Sequence, residues 1–154
     1  MVKISPKERE RYAVYYECNF TPSKFDREMI YFAKILALKS NVKGKHGSVL
    51  VNSNGTVESI GINYHNPDGR YEHRSSVHAE SAALRNCEIK ELCKYKLYVA
   101  RSSQTCVGHT FSRPCNRCMK EIVEKKVGQI IYSNGGINEW EFPKMSLINI
   151  VYNL

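Results

Sequence analysis

The 154-residue sequence lacks features that would assign it to several large classes of protein. It contains no apolar run approaching the roughly 20 residues that a helix needs to cross a bilayer, so we expect no membrane partner. Its first residues, MVKISPKERERY, are charged and contain no apolar stretch of the signal-peptide type, so we expect a cytoplasmic protein. It also has no internal repeat and no low-complexity tract, which excludes repeat architectures.

Acidic residues are in the minority. Asp and Glu total 15 against 23 Lys and Arg, which gives a net charge of +8. A surface of this charge favours anionic partners, either polynucleotides or phosphorylated small molecules. The basic residues are spread along the chain and do not form one basic run. The charge therefore makes nucleic acid a candidate partner but does not establish that the protein binds it. The composition is ordinary for one compact domain, which we place at residues 25–154 after an N-terminal extension at 1–24.

Apolar spacing and turn residues predict alternating helices and strands. The predicted elements are a helix over about 27–41 capped by Asp26, strands near 47–52, 56–62, 96–102 and 128–133, a short helix after residue 77, a helix from 114 to about 126, and a last strand in the tail. This order predicts an α/β fold, a three-layer α-β-α sandwich with a mixed five-stranded sheet. The 13 residues at 134–146 leave the direction of the last strand open.

The strongest chemical pattern is Pro114-Cys115-Asn116-Arg117-Cys118. A helix that starts at the proline would place both cysteines on one side of its first turn. The positive end of the helix dipole would favour their thiolate forms. Two thiolates at this spacing are suited to zinc.

His78 is the candidate third ligand, and Glu80 is a candidate proton carrier. Residues two apart in a helix point about 200° from each other, so these two converge only where a helix begins, with Ser75 or Ser76 as its cap. Three protein ligands leave the fourth zinc position open to water, as in catalytic sites. Because two thiolates weaken the pull of zinc on that water, Glu80 is needed as a base.

Other uses of the six cysteines are open at this point. Disulfide frameworks are typical of secreted chains, and nothing here directs export. Cys115 and Cys118 would also suit a redox pair, or a structural site of four cysteines with Cys87 and Cys93. A second metal held by His73, Cys106 and His109 is a further alternative.

The series His78-Ala79-Glu80 and Pro114-Cys115-x-x-Cys118 resembles the signature of the cytidine and deoxycytidylate deaminase superfamily. The resemblance covers roughly residues 26–136. It implies that His78, Cys115 and Cys118 bind Zn²⁺, that hydroxide on the zinc attacks the ring carbon bearing the amino group, and that Glu80 shuttles protons.

The resemblance also implies a set of substrate contacts. Asn63 matches an asparagine that contacts substrate at the end of the second strand, and the backbone N–H of Ala79 is similar to one that touches the base. Gly47 and Ser48 would line the pocket floor. Arg113 departs from the glutamate that transfer-RNA adenosine deaminases commonly place before the Pro-Cys pair, which weakens an adenosine assignment.

We therefore predict hydrolytic deamination of cytosine in a nucleotide or nucleoside, of the deoxycytidylate or cytidine type, by a homo-oligomer. Arg113 suits a phosphorylated substrate, since guanidinium pairs with phosphate in bidentate fashion. One alternative is a polynucleotide deaminase acting on transfer-RNA adenosine or on cytosine in single strands, with Tyr64, Tyr71 and Trp140 stacking on bases. Members of the resembled superfamily that act on polynucleotides tend to have a parallel last strand. A zinc-stabilised binding module is the non-enzymatic alternative, and Glu80 argues against it.

Overall fold

The computed structural model describes residues 14–65, 76–102, 112–133 and 141–148. Their elements, in chain order, are β1 (Val14–Phe20), α1 (Lys24–Ala37), β2 (Lys45–Val51), β3 (Val57–Ile62), β4 (Tyr64–His65), β5 (Ser76–Val77), α2 (Ala79–Arg85), β6 (Lys96–Ser102), α3 (Asn116–Glu124), β7 (Gln129–Tyr132) and β8 (Phe142–Ile148). None of these helices is both long and apolar enough to span a bilayer.

The main sheet has six strands in the order β1-β8-β7-β6-β2-β3, and β4 and β5 form a separate two-stranded ribbon. Only β6 and β7 run parallel among these pairs, because α3 connects them as a crossover. The predicted mixed sheet is confirmed, and the predicted number of five strands is wrong. The added strand is β1, which lies in the segment predicted as an extension.

The polar composition of β1 explains why its strand was missed. Its sequence VYYECNF alternates weakly, but Tyr15 packs against one core and Phe20 against the other. The Tyr15 hydroxyl donates a 2.7 Å hydrogen bond to the carbonyl of Val127. The division into residues 1–24 and 25–154 stays a prediction, and Val14–Phe20 of the first segment pair along their whole length with β8.

Two apolar cores, one on each face of the sheet, define three layers. On one face, α1 packs over alternate residues of β2, β6 and β7, including Val49, Tyr98 and Ile131. On the other face, α2 and α3 pack over Leu50 and Val99. The predicted three-layer α-β-α sandwich is therefore confirmed.

Helix α1 begins earlier than its apolar pattern predicts. Ser23 is the cap, and Asp26, the predicted cap, is the third helical residue. The Ser23 hydroxyl accepts from the Asp26 N–H at 3.1 Å, and the Asp26 carboxylate accepts from the Ser23 N–H at 3.0 Å. This reciprocal capping box satisfies two backbone donors, whereas a cap at Asp26 would satisfy one.

The last strand, whose direction the sequence left open, runs antiparallel to β7. It then pairs on its other side with β1, also antiparallel. The chain therefore reverses direction between the neighbouring strands β7 and β8. The edge strand next to β8 is β1, which comes from the N-terminal part of the chain.

Candidate active site

Helix α2 begins at the residue after His78, which is itself the N-cap. Its backbone is extended, with φ −75° and ψ 153°, and its side chain makes no capping hydrogen bond. The imidazole is therefore left for another partner, and Glu80 follows as the second helical residue. The predicted convergence of these two side chains at a helix start is what this geometry allows. The predicted cap at Ser75 or Ser76 is wrong, because the N-cap of α2 is His78.

Helix α3 repeats this arrangement with a thiol. Cys115 is the N-cap, again with extended backbone and no side-chain capping bond, and Cys118 is the third helical residue. The helix begins two residues later than a start at Pro114 would give. An N-cap and the third residue after it project toward the same end of a helix, as the two partners of a capping box do. The cysteines therefore converge as predicted, from a later helix start.

The three side chains meet between the two helix starts. Nδ1 of His78 lies 3.5 Å from Sγ of Cys115 and 3.3 Å from Sγ of Cys118, and all three ligand atoms lie within 4.8 Å of one another. Zinc with bonds of about 2.0–2.3 Å to nitrogen and sulfur in tetrahedral geometry separates such ligands by about 3.5 Å. One imidazole and two thiols at these distances fit zinc, and three ligands leave one position for water.

Glu80 is buried beside this cluster, with 4% of its surface exposed. Burial raises the pKa of the Cys118 thiol most, and the charge of Glu80 and a hydrogen bond with it raise that pKa further. The carboxyl group of Glu80 is thus within bonding reach of a ligand sulfur. Metal binding must displace the thiol proton, so it couples to proton release.

A pocket of about 280 Å³ opens in front of the cluster. Six of the predicted site residues line it, namely Asn63, His78, Ala79, Glu80, Arg113 and Cys115. Ala79 is the first residue of α2, so its N–H is among those that no helical carbonyl accepts. A backbone donor therefore faces the region where a substrate would lie.

Asn63 is anchored by Gly44, in the loop that precedes β2, and by His46, the second residue of that strand. Its Oδ1 accepts a 2.8 Å hydrogen bond from the N–H of His46, and its Nδ2 donates a 2.6 Å bond to the carbonyl of Gly44. An amide oxygen has two lone pairs and an amide nitrogen two hydrogens, so one further bond at each atom is available. The same bonds fix the loop that forms this wall of the pocket.

His46, which the sequence analysis did not single out, also lines the pocket. Burial lowers the pKa of its imidazole most, against a hydrogen bond to the Gly44 carbonyl and the charge of Glu80, both of which raise it. Its position was detectable in the strand pattern, because His46 and Ser48 fall on the same face of β2 as the predicted site. Ser112 and Arg113 line the opposite wall.

Gly47 and Ser48, predicted as the pocket floor, are not among the lining residues. A Cβ on Gly47 would lie 2.1 Å from the carbonyl oxygen of Ala33, so this glycine lets α1 pack closely on the far face of the sheet. The Ser48 hydroxyl donates a 2.7 Å hydrogen bond to the carbonyl of Ala79. Both residues therefore contribute to packing beneath the site and do not form its surface.

Arg113 lines the pocket, but its guanidinium is already paired. Its Nε and Nη2 donate to the two carboxylate oxygens of Glu17 at 3.2 and 3.4 Å. The hydroxyl of Tyr132 donates to the same carboxylate. The residue predicted to hold a phosphate therefore joins the start of α3 to β1.

Several predicted features lie outside the described residues. They are Tyr71 and Trp140 as stacking residues, His73, Cys106 and His109 as a second metal site, and most of the loop between Tyr64 and Val77. Within the described chain, Cys18, Cys87, Cys93, Cys115 and Cys118 are all free thiols. Cys87 and Cys93 are absent from the metal-ligand cluster of the described residues.

Comparison with known proteins agrees with this geometry. Residues 23–134 match the family model of the cytidine and deoxycytidylate deaminase zinc-binding region. A cytidine deaminase from Burkholderia pseudomallei is similar in structure, with TM-score 0.56 and 20% identity over 76% of this chain and 89% of that one. A dCMP deaminase from the cyanophage S-TIM5 has TM-score 0.56 and 23% identity over 75% of this chain and 89% of that one.

These likenesses to solved structures show the shared fold, and no curated protein sequence matches the chain. The family match covers most of the chain, from the cap of α1 to the second residue after β7, and includes every residue of the His-Cys-Cys cluster. The cofactor of the family, zinc, fits that cluster. The chain therefore belongs to the cytidine and deoxycytidylate deaminase family of zinc-dependent nucleobase deaminases.

Proposed function

We propose that the chain hydrolyses the exocyclic amino group of cytosine in a nucleotide, releasing ammonia and leaving uracil. The observation that carries this proposal is the meeting of His78, Cys115 and Cys118 beside the buried carboxyl group of Glu80. Residues of a structural zinc site need no proton carrier, whereas hydrolysis of an amine needs one, because a proton must reach the departing nitrogen.

In this proposal His78, Cys115 and Cys118 hold the zinc, which when bound activates a water molecule for attack. Glu80 accepts a proton from that water and delivers it to the cytosine ring, and a further proton passes to the amino group as it leaves as ammonia. Its burial favours this role, since a carboxyl group out of water exchanges protons with the bound base rather than with solvent.

The remaining pocket residues orient the base. The N–H of Ala79 donates a hydrogen bond to the carbonyl oxygen of cytosine. The amide of Asn63 makes its remaining hydrogen bonds to the sugar or the base. The anchoring of Asn63 by Gly44 and His46 supports this role, because a side chain already held in place loses little entropy when it binds.

Two observations favour a free nucleotide over a polynucleotide. The cyanophage dCMP deaminase of similar fold has been solved in complex with dCMP and dUMP. The antiparallel last strand differs from the parallel strand expected of relatives that act on polynucleotides. The homo-oligomer and the cytoplasmic location stay predictions.

The experiment is a panel of substrates presented to the zinc-loaded full chain, namely deoxycytidylate, cytidine, single-stranded DNA and transfer RNA, with ammonia release or base change as the readout. We expect turnover of the cytosine nucleotide that persists at high salt, about 0.5 M, where binding to polynucleotides falls steeply. If only a polynucleotide were turned over, the substrate would be a polynucleotide and not the proposed free nucleotide. Zinc binding without turnover of any amino-bearing base would identify a binding module.

A further inference from the structure

Arg101, at the end of β6, stands out among the basic residues near the pocket. It lies directly opposite His46 in the antiparallel β2–β6 pair. Residues opposite each other in such a pair have side chains on the same face of the sheet, so Arg101 projects on the face that carries α2 and the pocket. The alternation agrees, since Leu97 and Val99 of β6 pack in the core on that face.

The guanidinium of Arg101 lies against Gly44, a residue of the pocket wall, and Arg101 itself is not among the lining residues. Its Nη2 lies 3.6 Å from the position that a Cβ of Gly44 would occupy, and Gly44 and His46 both line the pocket. The backbone of Arg101 is tied to the opposite wall as well, because its N–H donates to the Ser133 hydroxyl, which is hydrogen bonded to that of Ser112. Arg101 is therefore held between two walls of the site.

The Nε of Arg101 is buried and has no hydrogen-bond partner in the part of the chain that the structure describes. A buried charged donor without an acceptor is costly, so its retention in a native protein calls for an explanation, and a functional role or an ion bound beside it is one. The contrast with Arg113 is direct, because Nε and Nη2 of that guanidinium both donate to the carboxylate of Glu17. Glu17 takes two of the five N–H donors of Arg113, whereas Nε of Arg101 has no acceptor among the described residues.

We propose that Arg101 binds the 5′-phosphate of a nucleoside monophosphate whose base enters the pocket at His78 and Glu80. This assignment rests on the proposed function and moves the phosphate contact from Arg113 to Arg101. The planar fork of the guanidinium matches two phosphate oxygens, and Nε is one of its bidentate donors. The pocket of about 280 Å³ is near the lower limit for ligand sites, so it holds a base and sugar and leaves the phosphate at its edge.

The test measures binding by calorimetry on the zinc-loaded full chain, with dUMP and deoxyuridine as probes. Hydrogen bonds to charged groups change affinity by about 10- to 100-fold, so dUMP should bind by that factor more tightly than deoxyuridine. Arg101→Gln should abolish this preference and leave the affinity for deoxyuridine unchanged. Arg85→Gln, which removes a guanidinium paired with Glu121 on the surface, is the matched control and should retain the preference.

Three results would overturn the assignment. They are equal affinity of the wild-type chain for both probes, an equal loss for both probes in Arg101→Gln, and loss of the preference in Arg113→Gln but not in Arg101→Gln. If Arg101→Gln does not fold, inorganic phosphate serves instead. Inorganic phosphate should compete with dUMP but not with deoxyuridine. Arg101→Lys should lower the affinity for dUMP and leave the affinity for deoxyuridine unchanged.

The failure of this inference is distinct from failure of the proposed function. Deamination of cytosine with no preference for a phosphate would retain the function and reject the role of Arg101. A phosphate preference that depends on Arg101 in a chain that deaminates no base would retain the anion site and reject the function. Binding of single-stranded DNA through Arg101 without a preference for dUMP over deoxyuridine would reject the monophosphate.

Discussion

Ser48 of β2 donates a 2.7 Å hydrogen bond from its hydroxyl to the carbonyl oxygen of Ala79, the residue between His78 and Glu80. Its neighbour across the hairpin, Gly61, lies under the same carbonyl, where a Cβ would be 2.0 Å from the oxygen. The first turn of α2 is thus seated directly on the backbone of β2 and β3. The sheet therefore fixes the start of α2, where the proposed metal ligand His78 and the proposed proton carrier Glu80 both lie.

Gly61→Ala should displace this turn. The added Cβ would also meet the N–H of Ala83 at 2.6 Å, and neither contact can be relieved by a side-chain rotation, because both atoms belong to the backbone. We expect a loss of about 1–3 kcal/mol in the free energy of unfolding, together with weaker zinc binding. Denaturant titration and a competitive zinc titration measure the two effects.

Gly47→Ala is the matched control for that substitution. Its Cβ would meet the carbonyl of Ala33 at 2.1 Å, on the face of the sheet away from the metal ligands. It should destabilise the fold to a similar degree while the folded protein keeps its zinc affinity. Equal losses of zinc affinity in both variants would show that α2 is not specifically seated by Gly61.

Cys115→Ser should lower the zinc content of the purified chain well below one ion per molecule. A serine hydroxyl is a far weaker zinc ligand than a thiolate, and the cluster holds only three ligands among the described residues. Metal analysis by mass spectrometry measures the effect. Cys93→Ser removes an exposed thiol outside the cluster and should leave the zinc content unchanged, whereas equal loss in both variants would refute the ligand assignment.

The buried pair of Tyr98 and Asp26 should make stability depend on pH. The Tyr98 hydroxyl donates a 2.5 Å hydrogen bond to Oδ1 of Asp26. Burial acts to raise the pKa of the Asp26 carboxyl, but hydrogen bonds from Tyr98 and Ser23 and the charge of Lys96 together lower it. A carboxyl whose pKa is lowered by folding contributes stability above its unfolded pKa of about 4, and that stability is lost as the pH falls through the folded value.

Tyr98→Phe removes one of the causes of this shift. The variant should be less stable than the wild type at pH 7, and the difference in unfolding free energy between the two chains should shrink below about pH 4. Urea unfolding at a series of pH values measures the difference. A difference that stays constant from pH 7 to pH 3 would mean that the hydrogen bond does not stabilise the charged carboxylate.

Removal of residues 1–20 should destabilise the domain, although the sequence predicts that this segment is an extension. The deletion removes β1 and leaves β8 as an unpaired sheet edge, which favours aggregation. Thermal unfolding and light scattering of the truncated chain test this expectation. Tyr15→Phe, which removes the hydrogen bonds of this hydroxyl to the carbonyls of Val127 and Ile122, should cost about 1 kcal/mol. A truncated chain as stable as the full one would show that β1 is dispensable.

The convergence of the candidate site residues could be predicted from the sequence because it depends on short spacings. Cys115 and Cys118 are placed by one helix start, and His78 and Glu80 by another, so local geometry fixes each pair. The helix-strand order and the three layers followed from apolar periodicity in the same way. These features need no knowledge of contacts between distant parts of the chain.

The features that were missed depend on distant contacts. The pairing of β1 with β8 joins residues more than a hundred positions apart, and the two charged groups of Arg113 and Glu17 are 96 positions apart. The phosphate role predicted for Arg113 took account of its neighbours in sequence, whereas its carboxylate partner comes from the other end of the chain. No local pattern identifies such a partner.

The central claim is that Glu80 carries protons at a zinc held by His78, Cys115 and Cys118. The most direct test measures the zinc content and ammonia release from deoxycytidylate in the same preparations of wild type and Glu80→Gln. We expect one zinc per chain in both, and a rate in the variant lower by a factor of about 10² to 10⁴. Full activity in a zinc-loaded Glu80→Gln chain would contradict the claim, and so would a fully active wild-type chain without zinc.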